Sequence, residues 1–116
     1  MPHLNEILEQ LHLDLKVEGD LLQEVKGCYI SDLLSDVMAH ANEGDLWVTL
    51  QTHPNIVAVA AVKGLCGIIL TNNRSPEAET SRKAEAEKVT IMVSPQTTFE
   101  VAGQLYELLR NGRRSP

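Results

Sequence analysis

The chain has 116 residues, enough for one ordinary domain that buries roughly two thirds of the surface its unfolded form exposes, so the fold requires no disulfide or metal staple. Apolar residues make up 43% of it and aromatic residues only 3%, which leaves the core to Leu, Ile, Val and Ala and provides few stacking platforms for bases or sugars. A formal charge of −6 argues against nucleic acid and anionic membrane as partners, since both call for a basic face.

Leu4, Ile7, Leu8 and Leu11 recur at three-four spacing and predict a short amphipathic helix over residues 1–12, with Pro2 ahead of it. Leu13 to Val17 alternates apolar and polar and reads as an edge strand, closed by a turn at Glu18-Gly19-Asp20. Gln23 to Ile30 reads as a second strand. Ser31 and Asp32 then suit a helix N-cap, because their oxygens accept the orphan amides of a first turn. Leu33, Leu34, Val37, Met38 and Ala41 make the buried stripe of that helix, and Gly44 ends it.

Asp45 to Thr52 is a third strand, with Leu46, Val48 and Leu50 on one face and Trp47 and Thr49 on the other. His53-Pro54 opens the next helix. Its residues Ile56 to Val62 are apolar all round, which predicts burial on nearly every side or cover by a second subunit. Gly64 stops it. Leu65 to Thr71 is almost wholly apolar, as a central strand covered on both faces should be. A polar loop from Thr71 to Arg74 leads to a cap at Ser75-Pro76 and an outer, polar helix over Pro76 to Glu87. Val89 to Val93 is a fifth strand. Thr97 and Glu100 form a capping box, and Phe99, Ala102, Leu105, Tyr106 and Leu109 are the expected inner face of the last helix. Residues 111–116 read as a flexible basic tail after an α/β core over 13–110, with Arg110, Arg113 and Arg114 complementing the helix dipole.

Strands that alternate with helices of this length predict βαβ crossovers. The expected fold is a single α/β domain: a mostly parallel sheet of about five strands with helices on both faces. Cys28 and Cys66 each lie in an apolar strand and read as packed, reduced thiols. The amphipathic, acidic start looks unlike a secretory signal, and the longest apolar run is too short to span a bilayer. Together these point to a cytoplasmic protein.

In an open parallel sheet, ligands bind beyond the carboxyl ends of the strands. Here those ends carry Ser31 and Asp32, Thr52 and His53, Thr71, Asn72, Asn73 and Arg74, and Ser94 through Thr97 to Thr98. Each leads into a helix N-terminus, where free amides and the helix dipole attract anions, and Arg74 adds a fork for phosphate or carboxylate. The same residue types serve equally as helix caps. His53 is the one candidate for acid–base work, but it has no Ser, Cys or carboxylate beside it as a partner. No histidine has a companion at metal-ligand spacing. Asp32 and Asp36 fit a solvated helix face better than a cation site. The chain has no phosphate loop, no GxGxxG turn and no CxxC, so kinase, dinucleotide and thiol-redox chemistry lack their usual hardware. No catalytic residue, metal or cofactor is assigned.

The segments Gly27–Met38, Gly44–Ala60, Ser94-Pro95 and Thr98–Gly103, in this order and spacing, resemble the DRTGG domain family in its stand-alone form. The resemblance spans nearly the whole chain after the first helix. It implies an α/β fold and a tendency to pair as homodimers. It also implies a regulatory role, since such domains accompany CBS domains in regulated pyrophosphatases and the catalytic domain of a phosphate acetyltransferase. Stand-alone relatives are often labelled by analogy with HPr kinase, but that chemistry needs the phosphate loop missing here. The letters DRTGG do not occur in this chain, and Asn72-Asn73 stands where relatives often have a glycine pair. Asparagine tolerates a left-handed backbone, but its side chain obstructs close approach of a ligand. The expected function is a regulatory or dimerisation module that takes a small anionic metabolite or nucleotide at the strand ends. The alternative is an accessory subunit that docks on a protein of a redox or signalling system and takes no small ligand.

Overall fold

The computed structural model describes residues 1–113. Ten elements follow one another: α1 (Leu4–Gln10), β1 (Asp14–Val17), β2 (Gly27–Ile30), α2 (Leu34–His40), β3 (Asp45–Thr49), α3 (Asn55–Lys63), β4 (Gly67–Leu70), α4 (Ala78–Glu87), β5 (Ile91–Val93) and α5 (Thr98–Arg113). The five strands form one sheet in the order β1-β5-β4-β3-β2. Strands β2 to β5 run parallel, and β1 lies antiparallel against β5, with a bulge between Leu15 and Val17. The α/β expectation of a mostly parallel five-stranded sheet therefore holds, as does the edge position of β1. The almost wholly apolar β4 is the central strand.

The pleat divides the core in two. Trp47, Ile68, Leu70 and Ile91 point to the face covered by α2, α3 and α4, where they pack with Val37, Ile56, Ala60 and Ala84. Leu46, Val48, Ile69 and Met92 point to the opposite face, covered by α1 and α5 through Leu4, Ile7, Val101 and Leu105. The connections β2-α2-β3-α3-β4-α4-β5 thus all pass over one face. Only α5 leaves β5 for the other.

The details depart from the sequence reading where an amphipathic stripe was drawn too wide. In α2 only Val37 is buried, with Ala41 just past its end, while Leu33 and Met38 face solvent. In α5 the inner face is Val101, Leu105 and Leu109, and Phe99 and Tyr106 point outward. Ala58, Ala61 and Val62 of α3 are exposed, so that helix is buried on one side and not all round. Strand β2 is shorter than expected because residues 21–25 have another task. The carbonyls of Gln23 and Leu21 accept the first amides of α1, from Leu4 and Asn5, and Val25 N–H donates to the Pro2 carbonyl. Helix α4 begins at Ala78, with Glu77 and not Ser75-Pro76 at the N-cap position and no side-chain cap. Gly64 takes the left-handed backbone expected of a helix stop, with φ of 66°, but Gly44 does not stop α2: that helix ends at Ala41 in extended backbone, and Gly44, at φ 86°, serves the turn before β3. Helix α5 continues to Arg113, so the expected basic tail lies, from Arg114 on, outside the described residues.

Candidate functional site

The carboxyl ends of β2, β3, β4 and β5 line one end of the sheet, and the residues singled out from the sequence all lie there or on the loops that follow. Because α4 and α5 leave the ends of β4 and β5 toward opposite faces, these two strand ends form the switch point at which open α/β sheets place ligands.

The two loops at that switch point are clasped. Asn72 N–H donates to the Gln96 carbonyl and Asn73 N–H to the Ser94 carbonyl, each at 2.8 Å, and the Thr71 and Thr98 hydroxyls lie 2.6 Å apart. Both asparagines adopt the left-handed backbone, at φ 56°, so the loop keeps a shape that a glycine pair would take without strain. Thr71 and Ser94 are fully buried. Gln96 Oε1 is buried and has no hydrogen-bond partner among the described residues. Arg74 is exposed at the mouth of the loop. Thr97 makes the expected capping box: its backbone N–H donates to Glu100 Oε1 at 3.2 Å, and Glu100 N–H donates to its hydroxyl at 3.3 Å.

The other half of the rim is tied to its own strands. Asp32 does not cap α2. Its carboxylate accepts the Thr49 hydroxyl and the Leu50 N–H, both at 2.8 Å, and its carbonyl accepts Gln51 Nε2 at 3.0 Å. The Ser31 hydroxyl accepts the Leu33 N–H, and its carbonyl accepts Trp47 Nε1 at 2.8 Å. The Thr52 carbonyl accepts the Thr80 hydroxyl at 2.6 Å and the Glu77 N–H at 3.3 Å. His53 Nδ1 accepts the Asn55 N–H at 3.1 Å, which makes it a cap of α3.

The fold thus gathers these residues at one end of the sheet but engages most of them in local structure. Gln51 and Thr80 complete the rim and were missed in the sequence, where isolated Thr and Gln carry no motif. Their one signal was position, directly after a strand or in the first turn of the next helix.

Two other features bear on chemistry. Tyr29 OH donates to the Asp36 carboxylate at 2.9 Å, and His40 Nδ1 lies 2.9 Å from the same group. The Ser31 hydroxyl and then Tyr29 hold the Asp36 carboxyl below its ordinary value, and Asp36 in turn raises the tyrosine. This is a surface network joining β2 to α2. Cys28 and Cys66 are free. Burial, and next the nearby Asp45 carboxylate, pushes each thiol up to about 12, so both stay protonated and poorly nucleophilic. Among the described residues no cluster of His, Cys, Asp and Glu has the makings of a metal site, and no helix is long and apolar enough to cross a membrane.

Comparison with known proteins agrees with this geometry. No curated protein matches the chain in sequence. Among solved structures, it is similar to the CBS and DRTGG domains of the regulatory region of Clostridium perfringens pyrophosphatase, complexed with the activator diadenosine tetraphosphate. The TM-score is 0.69 at 15% identity, over 89% of this chain and 45% of that one, so the likeness is one of fold and this chain spans less than half of the other. The family model of the DRTGG domain matches residues 6–108, from within α1 to near the end of α5. With nearly all of its sheet and helices inside that match, the chain belongs to the DRTGG domain family.

Proposed function

We propose that this protein is a non-catalytic regulatory module that binds a small anionic metabolite or nucleotide across the carboxyl ends of β4 and β5, and that it works as a homodimer in the cytoplasm. The observation that carries the ligand reading is the pair of groups at this switch point. It combines an exposed guanidinium, Arg74, with a buried and unpartnered acceptor, Gln96 Oε1. The first suits a phosphate or carboxylate, and the second suits the amine of a base or a ribose hydroxyl. That the similar regulatory region binds a dinucleotide activator supports the same class of ligand. Entry would require the Asn72–Gln96 and Asn73–Ser94 clasp to open, which suits a module whose shape reports on its ligand.

A thermal-shift screen with mononucleotides, dinucleoside polyphosphates, nucleotide sugars and acyl phosphates tests this. A ligand at about a hundred times its dissociation constant adds roughly 2.7 kcal/mol, which raises the midpoint by about 4 °C or more. The shift should vanish in Arg74→Ala while the midpoint without ligand stays unchanged. A flat screen would remove the ligand reading.

One observation favours a second reading, that of an interaction subunit with no small ligand. The strand-end polar groups are already largely paired with one another, whereas an apolar groove stands open elsewhere, between β2 and α5. A flat screen together with a stable partner complex would support that reading.

A further inference from the structure

The sheet has two outer edges, and they are built differently. Strand β1 carries an Asp14–Lys16 ion pair at 2.9 Å and a bulge, devices that keep an edge from accepting another strand. Strand β2 ends the sheet on the other side and has neither. Gly27 to Ile30 carry no charge and stay in regular register with β3, so the outward backbone groups of this edge have no strand beside them.

Beside that edge runs a groove of about 630 Å³, with Cys28 and Ile30 of β2 and Phe99, Gly103 and Tyr106 of α5 among its lining residues. Phe99 is 87% exposed, Tyr106 65% and Ile30 44%. A Cβ at Gly103 would meet no atom within 4 Å, so the helix backbone lies bare at the middle of the groove and admits close approach of another chain. The charges of α5 are sorted by flank. Glu100 and Glu107 line its α1 side, whereas Arg110 is the one charged residue lining the β2 side. Among the described residues Arg110 has no carboxylate within ion-pair reach. Helix α5 starts at the carboxyl end of the sheet and runs back over it, so Phe99 lies toward the carboxyl end of β2 and Arg110 toward its amino end, about 16 Å along the helix.

We infer that this groove seats an extended, acidic and apolar segment of a partner protein, added to β2 as an antiparallel strand; this rests on the interaction reading and gives it a surface and a partner chemistry. About five extended residues span the distance from Phe99 to Arg110. Antiparallel pairing is the stronger arrangement per residue. It sets apolar side chains at alternate positions against Ile30, Phe99 and Tyr106, with an Asp or Glu after them beside Arg110. Two features select this occupant. The open edge offers hydrogen bonds that a polypeptide backbone can use and an acyl chain cannot. In a chain of net charge −6, the single guanidinium makes this flank of α5 the one that receives a carboxylate. Arg110 is exposed, so the segment can run past it, and the carboxylate is that of a side chain, not of a chain terminus.

Fluorescence anisotropy of the full chain with labelled, end-capped peptides tests the assignment. One panel alternates Ile, Val, Leu or Phe with Thr over about five positions and ends in Glu, and a matched panel ends in Lys. Peptides of the Glu panel should bind at least about tenfold more tightly than their Lys counterparts. Arg110→Glu should reverse that preference. Gly103→Gln should weaken binding by about tenfold or more, even though it favours the helix. The amides of Gly27–Ile30 should exchange more slowly with peptide bound, as strand addition requires. Val62→Glu, on the exposed side of α3, and Arg74→Ala, at the β4–β5 switch point, should leave binding unchanged. A Glu panel without binding up to about 1 mM, a preference indifferent to Arg110→Glu, or unchanged exchange along β2 would overturn the inference. So would a groove that takes decanoate, or a second copy of the chain, in place of the peptides. A native partner complex that survives both α5 variants would keep the interaction reading and overturn this surface.

Discussion

Asp32 stands where a helix cap is expected, yet its carboxylate reaches across to β3 and holds the Thr49 hydroxyl and the Leu50 amide. The residue type was legible, because a short acidic side chain after a strand must accept hydrogen bonds. Which donors it would find depended on β3 lying alongside, and register places them there. Each such bond contributes about 0.5–1.5 kcal/mol. Asp32→Ala should therefore lower stability by about 1–2 kcal/mol, while Asp32→Asn keeps one acceptor and costs less. Trp47, the single tryptophan and fully buried, reports the transition by its fluorescence. His53 shows the reverse outcome. The capping role that its neighbours in sequence suggested is the one it fills, through Nδ1.

Element ends were the most legible part of the chain where backbone geometry alone decides them. Gly64 and the Thr97–Glu100 box are local devices, and each acts as its residue type dictates. The end of α4 breaks the pattern: its C-cap is Lys88, a side-chain-bearing residue held at φ 58°. A left-handed backbone costs such a residue about 1–2 kcal/mol, offset in part because glycine gains freedom in the unfolded chain. Lys88→Gly should raise stability by about 0.5–1 kcal/mol, and Gly64→Ala should lower it by about 1 kcal/mol, both read from denaturant midpoints. The widths of the amphipathic stripes were less legible. The apolar side chains of α2 and α5 cover more than one face, and only the packed structure shows that Val101, Leu105 and Leu109 are the ones that reach the sheet.

At the scale of the molecule, the thiols of buried Cys66 and half-buried Cys28 couple stability to alkaline pH. Cys28 and Cys66 ionise near 9.0 in the unfolded chain and at about 12 in the folded one. Their contribution is complete below 9.0. It is lost as the pH rises toward the folded value, because the unfolded state then releases protons that the folded state retains. The thermal midpoint should fall on the alkaline side of 9.0, and the fall should flatten in Cys28→Ala/Cys66→Ala. The same burial should leave Cys66 unlabelled by a thiol reagent until the chain unfolds.

The sequence by itself determined the class of fold, the succession of elements, the central place of β4 and the polar character of the strand ends. These follow from periodicity, apolar runs and turn chemistry, all of which act over a few neighbouring residues. Tertiary structure alone decided the strand order, the passage of α5 to the face opposite α4, and hence the switch point between β4 and β5. It also decided that the strand-end loops clasp one another and that Phe99 and Tyr106 face outward beside a bare edge. Each of these depends on which distant segments share the sheet. That choice comes from packing the two faces of the core together, and no local pattern encodes it.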